Sequence, residues 1–539
     1  MATIQNMIGD CNNNHTTCGP RGANSFIPTW LIELRNDHFD DRVFRLVQGK
    51  TLDSDTRYVF LSHYDGVATQ SQPRFGASTR TSFCDWQQLG KLPKLFQDAC
   101  EFVTQIGETY IWIDDLCGFS KGHSPMPPLA ARSERSDTIR NSTLSIVALS
   151  AETDDGGLFC ARDPKDVVPT VVDLCVKGPD QPEPHVFELE RAWSWKLTLD
   201  RAPLTKKAYF VRDRLLAPRS LLFGPKQVYW ECNEANACEL HPDPSSEAMT
   251  DTRTSTKRLF KPTLDMSFFR EDDKPCRQLQ LDWYRIIEYY SDREVVKPSD
   301  KLTSISEIAA EVRSTLLELG SNTGQYFAGH WENTLPESLL WNARDLGHRP
   351  STYRAPSWSW ASIDALVSFH TNMACFQQSW LSEVISTSIE RSDTSDELGA
   401  VDGGEIVLNG RLATATLLPQ GTELLDGWKF IKSLEITGET EGDPIRAVRD
   451  QGGGMSISSW SVHFDADNDI CDRFLCLPVR AQLGPDECVV TALALTRKTE
   501  GDGSISYRRI GLAEFEGRRD ENTALKLFEQ LPKQVIRIL

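Results

Sequence analysis

Apolar and β-branched residues crowd together in RYVFLSH (57–63) and stop at a polar turn, which predicts a β-strand. In LPKLFQDACEFVTQIG (92–107) the pattern changes. Leu95, Phe96, Ala99, Cys100, Phe102, Val103 and Ile106 recur at helical spacing, Pro93 suits the first turn and Gly107 the stop. YIWID (110–114) and LSIVALSA (144–151) read as two further buried strands. Strand, helix, strand with short connections is a βαβ unit, so strands 57–63 and 110–114 are predicted to be parallel neighbours.

The pattern weakens between 165 and 205, where proline and charged residues are frequent. SLLFGPKQVYWEC (220–232) predicts a hairpin turning at Gly224-Pro225, and residues 236–256 form a polar linker. QLDWYRIIEYYSDREV and DKLTSISEIAAEVRSTLLELG read as helices, the second closed by Gly320. After about residue 385 the period shifts towards two. GEIVLNGRLATATLL, WSVHFDAD, FLCLPVRAQL, CVVTALALTRK and SYRRIGLAEF are predicted strands. The expected organisation is an N-terminal arm (1–40), an α/β domain (41–235), a helical region (236–384) and a β-rich C-terminal domain (385–539).

A chain of 539 residues is too long for one compact domain, in agreement with that division. Lys and Arg number 58 against 77 Asp and Glu, a formal charge of −19 that disfavours extended nucleic-acid binding. The start, MATIQNMIGDCNNN, lacks the basic and apolar regions of a secretory signal, and no apolar run is long enough to span a bilayer. A cytoplasmic location with no membrane association is therefore expected, with the nucleus also open. The fourteen cysteines are scattered, as reduced thiols are in that compartment.

The βαβ reading turns several polar residues into candidates, because open parallel sheets bind ligands beyond the carboxyl ends of their strands. Those ends carry His63 and Asp65, then Asp114, Asp115 and Cys117, then Ser150, Glu152 and Asp154. Neighbouring strands lie about 4.8 Å apart, so these groups can share one small-molecule site. Asp65, Asp114 and Asp213 are the candidate general acids or bases, and Cys117 with His63 a candidate nucleophile and base. Asp115, Glu152, Ser150 and Arg212 are the candidate substrate-binding groups. Arg212-Asp213 reads equally well as an anion holder or as an internal ion pair. Cys11-x3-His15-x2-Cys18 resembles the start of a zinc site, but no fourth ligand is evident, so the segment is taken as a packed arm and no metal is assigned.

Several blocks together resemble the fungal heterokaryon-incompatibility (HET) domain family. They are CNNNHTTC, FIPTWLIEL, YVFLSH, LPKLFQDACEFVTQIGETYIWIDDLC, LSIVALSAETDDGGLFCAR, RLLAPRSLLFGPKQVYWEC and YRAPSWSWAS (353–362). They run in order from about residue 11 to 363. The resemblance implies a flavodoxin-like or TIR-like α/β fold and a role in nonself recognition and cell death. It also implies self-association through the α/β domain, and NAD as a candidate cofactor, since some TIR domains cleave it.

Polar positions depart from the family. Tyr64-Asp65-Gly66 stands where Cys-Trp-Gly is usual, Gly118-Phe119-Ser120-Lys121 replaces a run ending in two acids, and Arg212-Asp213 replaces Gln-Glu. The family's Glu…Met…Tyr helix pattern falls on Ala131, Arg135 and Ile139, so its acidic residue is missing, with Glu134 nearby. The framework is kept while the site chemistry differs, so two classes stand. One is a signalling protein of the nonself-recognition type. The other is a HET scaffold repurposed as an acid–base enzyme of a biosynthetic pathway. Whether the protein is an enzyme stays open at this point.

Overall fold

The computed structural model describes residues 1–18, 26–36, 42–64, 81–118, 129–163, 165, 168, 170–177, 182–189, 194–243, 274–321, 324–370, 377–417, 423–425, 428–430, 434–438, 445–447, 457–518 and 523–539. The chain divides into two compact units, Met1–Leu259 and Phe260–Leu539.

The first unit is built on one mixed sheet. Its described strands are β1 (Trp30–Asn36), β2 (Arg42–Gln48), β3 (Val59–Ser62), β4 (Gln87–Gln88), β5 (Tyr110–Ile113) and β6 (Leu144–Ala148). After the separate hairpin of β7 (Thr170–Lys177) and β8 (Pro182–Leu189) come β9 (Arg219–Phe223), β10 (Val228–Cys232) and β11 (Asn236–Cys238). The sheet order is β11-β10-β9-β6-β3-β5-β1-β2-β4.

Its centre is parallel. Val59, Phe60 and Leu61 of β3 pair with Ile111, Trp112 and Ile113 of β5, and β3 also runs parallel to β6, and β6 to β9. The predicted adjacency of the first two strands is therefore found. Every residue of β3, β6 and β9 is buried, as continuous apolar strands of a sheet covered on both faces should be. Numbered by their appearance in the chain, the four parallel strands stand in the order 2-1-3-4. The chain thus leaves β3 in one direction and later crosses back to its other side, a switch point of the kind at which open α/β sheets bind ligands.

The helix between β3 and β5 spans Lys94–Gln105 and buries Leu95, Phe96, Ala99, Cys100, Phe102 and Val103, the stripe its periodicity predicted. Gly107, with φ +86°, takes the left-handed conformation beyond its end. Asp98 is the polar exception on the buried face. Its carboxylate accepts from Leu158 N at 2.9 Å and from Lys94 Nζ at 2.6 Å, tying the Gly-Gly-Leu-Phe loop to the helix. Gly157 sits at φ +74°, where an added Cβ would lie 2.8 Å from Asp98 Oδ2, so both the backbone and the close approach require glycine.

Two readings change in detail. YIWID ends as a strand at Ile113, and Asp114–Cys117 forms a helical turn, since carboxylates are favourable in a first helical turn. Residues 1–40 contribute the helix Ala2–Asn14 and the strand β1, which pairs antiparallel with both β2 and β5. The weak-pattern stretch contains the β7–β8 hairpin. The hairpin at Gly224-Pro225 is present, joining β9 to β10.

The second unit carries the predicted helices as Lys274–Ser291 and Lys301–Glu318, followed by a largely antiparallel sheet. The five predicted C-terminal strand segments are found within Val401–Arg411, Ala413–Leu417, Ile457–Phe464, Arg473–Leu483, Glu487–Thr499 and Ile505–Arg518. The tryptophans of PSWSWAS, Trp358 and Trp360, are fully buried with Trp331 and Trp341. Trp341 Nε1 donates to Trp358 O at 2.9 Å and Ser359 Oγ to Ala328 O at 2.6 Å, so the block is core of this unit. Among the described residues no helix is long and apolar enough to cross a membrane.

Candidate functional site

The carboxyl ends of β3, β5 and β6 place most of the candidates together. They sort into two groups that differ in access to water.

The first group gathers around His63. Its ring is buried, packed edge-on to Phe96 at 5.2 Å, and its backbone carbonyl accepts from Tyr209 Oη at 3.3 Å. Nε2 lies 2.9 Å from Asp115 Oδ2 and 3.8 Å from Asp154 Oδ1. Asp154 is fixed by its backbone, because its carbonyl accepts the N–H of Leu95 in the first turn of the helix that follows β3. The side chain of Asp115 is 32% exposed and that of Asp154 20%, while His63 is 3% exposed. Two part-exposed carboxylates thus stand over a buried imidazole. Such a group can accept hydroxyl hydrogens, relay a proton, or hold a divalent cation, since its three ligand atoms lie within 4.8 Å of one another.

The second group lies deeper. Asp213 is 1% exposed and accepts from Ser62 Oγ at 2.9 Å. Arg212 Nη2 reaches it at 2.9 Å and Arg135 Nη2 at 3.6 Å. Arg135 also pairs with Asp114, which is 9% exposed. Asp213, Asp114 and Arg212 are almost out of water and Arg135 is 22% exposed, and the four charges pair with one another beside the ends of β3 and β5. Of the two readings of Arg212-Asp213, the internal ion pair is the one formed.

The remaining candidates fall elsewhere. Cys117 is buried in the apolar core cluster that includes Cys100, whose thiol burial pushes upward. Ser150 Oγ donates to Phe223 O at 3.3 Å, closing the end of β6 onto β9. Glu152 is exposed and joins neither group among the described contacts. Asp65 lies outside the described residues.

Arg135, Ser62 and Tyr209 are the contributors that periodicity did not single out. Only Arg135 left a trace, as a basic residue at the middle position of the family's Glu…Met…Tyr helix pattern. Glu134, beside it, accepts from Thr29 N at 2.9 Å and belongs to the scaffold.

No curated protein and no solved structure matches the chain. Residues 58–212 match the family model described as heterokaryon incompatibility protein (HET). The match opens one residue before β3 and closes on Arg212, so it encloses the βαβ core and every member of both groups except Asp213. The similarity to the heterokaryon incompatibility (HET) family thus rests on residues 58–212, the part of the chain that matches its model.

Proposed function

We propose that this protein is a nonself-recognition, cell-death type signalling protein whose α/β unit takes a nucleotide, NAD being the reference ligand, in the crevice beside the end of β3. The observation that carries the proposal is the part-exposed pair Asp115 and Asp154 beside buried His63, contributed by three different strand ends. The 2-1-3-4 order of the parallel strands supports a flavodoxin-like or TIR-like assignment, in which ligands sit at this point of the sheet. Carboxylates there suit ribose hydroxyls, as acidic residues do in other dinucleotide sites.

A second reading, a HET scaffold repurposed as an acid–base enzyme, is supported by the same His63–Asp115 contact, which is what proton transfer to a bound substrate needs. Overexpression separates the two. The signalling reading expects growth arrest from the full chain, relieved by His63→Gln or Asp115→Asn at equal protein levels. A benign wild type at high expression would refute it and leave the enzyme.

A further inference from the structure

The sequence separates Cys232 from the N-terminal cysteines by more than two hundred residues, yet the fold brings them together. Cys11 lies on the helix Ala2–Asn14, His15 at its end, Cys18 in the turn that follows, and Cys232 at the end of β10. The three sulfurs and one ring nitrogen all lie within 4.8 Å of one another. His15 Nδ1 is 3.3 Å from Cys232 Sγ and 3.7 Å from Cys18 Sγ. Zn–S bonds of about 2.3 Å and Zn–N bonds of about 2.0–2.1 Å put the corners of a tetrahedron roughly 3.5–3.8 Å apart. The side chains therefore already stand at the spacing of a metal's coordination shell. The three cysteines are buried, at 0–1% exposure for Cys11 and Cys18 and 0% for Cys232.

The surroundings fit as well. Ala235 N donates to Cys232 Sγ at 3.2 Å, an outer hydrogen bond of the kind that orients ligands. Arg219, itself buried, donates Nε to Cys11 Sγ at 3.1 Å, and its other described polar partner is the neutral carbonyl of Thr143 at 3.4 Å. A guanidinium is always charged, so one buried with a sulfur and a carbonyl calls for negative charge on that sulfur. Three thiolates and a neutral imidazole around a divalent zinc carry a net charge of about −1, which Arg219 offsets.

We propose that Cys11, His15, Cys18 and Cys232 form a structural Cys3His zinc site that staples the N-terminal helix to the end of β10. The soft, all-protein tetrahedral shell selects zinc over magnesium or calcium, and four protein ligands leave no open position, as in structural sites. Thr17 and Glu234 hydrogen-bond beside it, and Asn233 Nδ2 donates to Thr17 O at 2.8 Å, so the two loops are already zipped around the ligands.

The test uses the full chain, expressed with zinc in the medium and purified without chelators. Elemental analysis is expected to find roughly one zinc per chain, released in step with blocking of the thiols by an organomercurial. Cys232→Ser and Cys11→Ser lower the zinc content several-fold, whereas Cys84→Ser, at an exposed cysteine, leaves it unchanged. Should the ligand variants fail to fold, cobalt(II) loaded into the wild type gives the intense visible bands of a tetrahedral thiolate site. Zinc far below one per chain together with no tetrahedral cobalt spectrum overturns the proposal. So does recovery of Cys11, Cys18 or Cys232 in a disulfide from freshly purified protein.

Discussion

His63 Nε2 and Asp115 Oδ2 lie 2.9 Å apart although the residues are 52 positions apart and leave the sheet from different strands. That contact joins the carboxyl ends of β3 and β5, and Asp115 is 32% exposed where the neighbouring Asp213 is 1% exposed. The two groups should therefore respond differently to mutation.

Asp213→Ala removes a carboxylate that satisfies Arg212, Arg135 and Ser62 at 1% exposure. Arg135 keeps Asp114, but the buried Arg212 loses its carboxylate, and breaking such a buried pair costs roughly 3–5 kcal/mol. Asp115→Asn acts at a half-open contact and is expected to cost less than about 1 kcal/mol. Chemical denaturation of the two variants checks this, and equal losses would merge the two groups into one structural network.

Gly157→Ala combines a left-handed backbone with a methyl 2.8 Å from Asp98 Oδ2. The expected destabilisation is about 1–3 kcal/mol, and it should loosen the loop that carries Asp154. Thermal melting of the variant, with hydrogen exchange at Leu158 N–H, provides the measurement. A neutral substitution would remove this loop from the account.

In the second unit, burial and then Arg509 push the His330 pKa down to about 3 from an ordinary 6.5. Above pH 6.5 the ring is neutral in both folded and unfolded chains and has no effect on stability. Between 6.5 and 3 only the unfolded chain takes up the proton, so stability falls by up to about 1.4 kcal/mol per pH unit. His330→Phe is expected to flatten this acid limb. An unchanged limb in the variant would assign acid sensitivity to other groups.

Much of the first unit was legible in local pattern, because a fully buried strand and a one-sided helix each leave their own period. Val59–Ser62, Lys94–Gln105 and the Gly224-Pro225 turn follow from it. Long-range polar pairings left no such mark. Ser62 meets Asp213 across 151 positions and Cys232 meets His15 across 217, and neither pair has a period or spacing to read. The exposed carboxylates were found because strand ends are where chain direction changes. Which of them stay part-exposed depended on pairings such as that of Arg135 with Asp114, which only the folded chain displays.

The most direct measurement of the central claim is calorimetric titration of the purified full chain with NAD, followed by assay of the same samples for NAD consumption. The account predicts saturable binding by the wild type. It predicts that His63→Gln and Asp115→Asn weaken binding by roughly ten- to a hundredfold, the weight of a charge-assisted hydrogen bond of about 1.5–3 kcal/mol, with unchanged melting temperatures. Absence of binding by a folded wild type, or equal binding by wild type and both variants, would contradict a nucleotide site beside the end of β3.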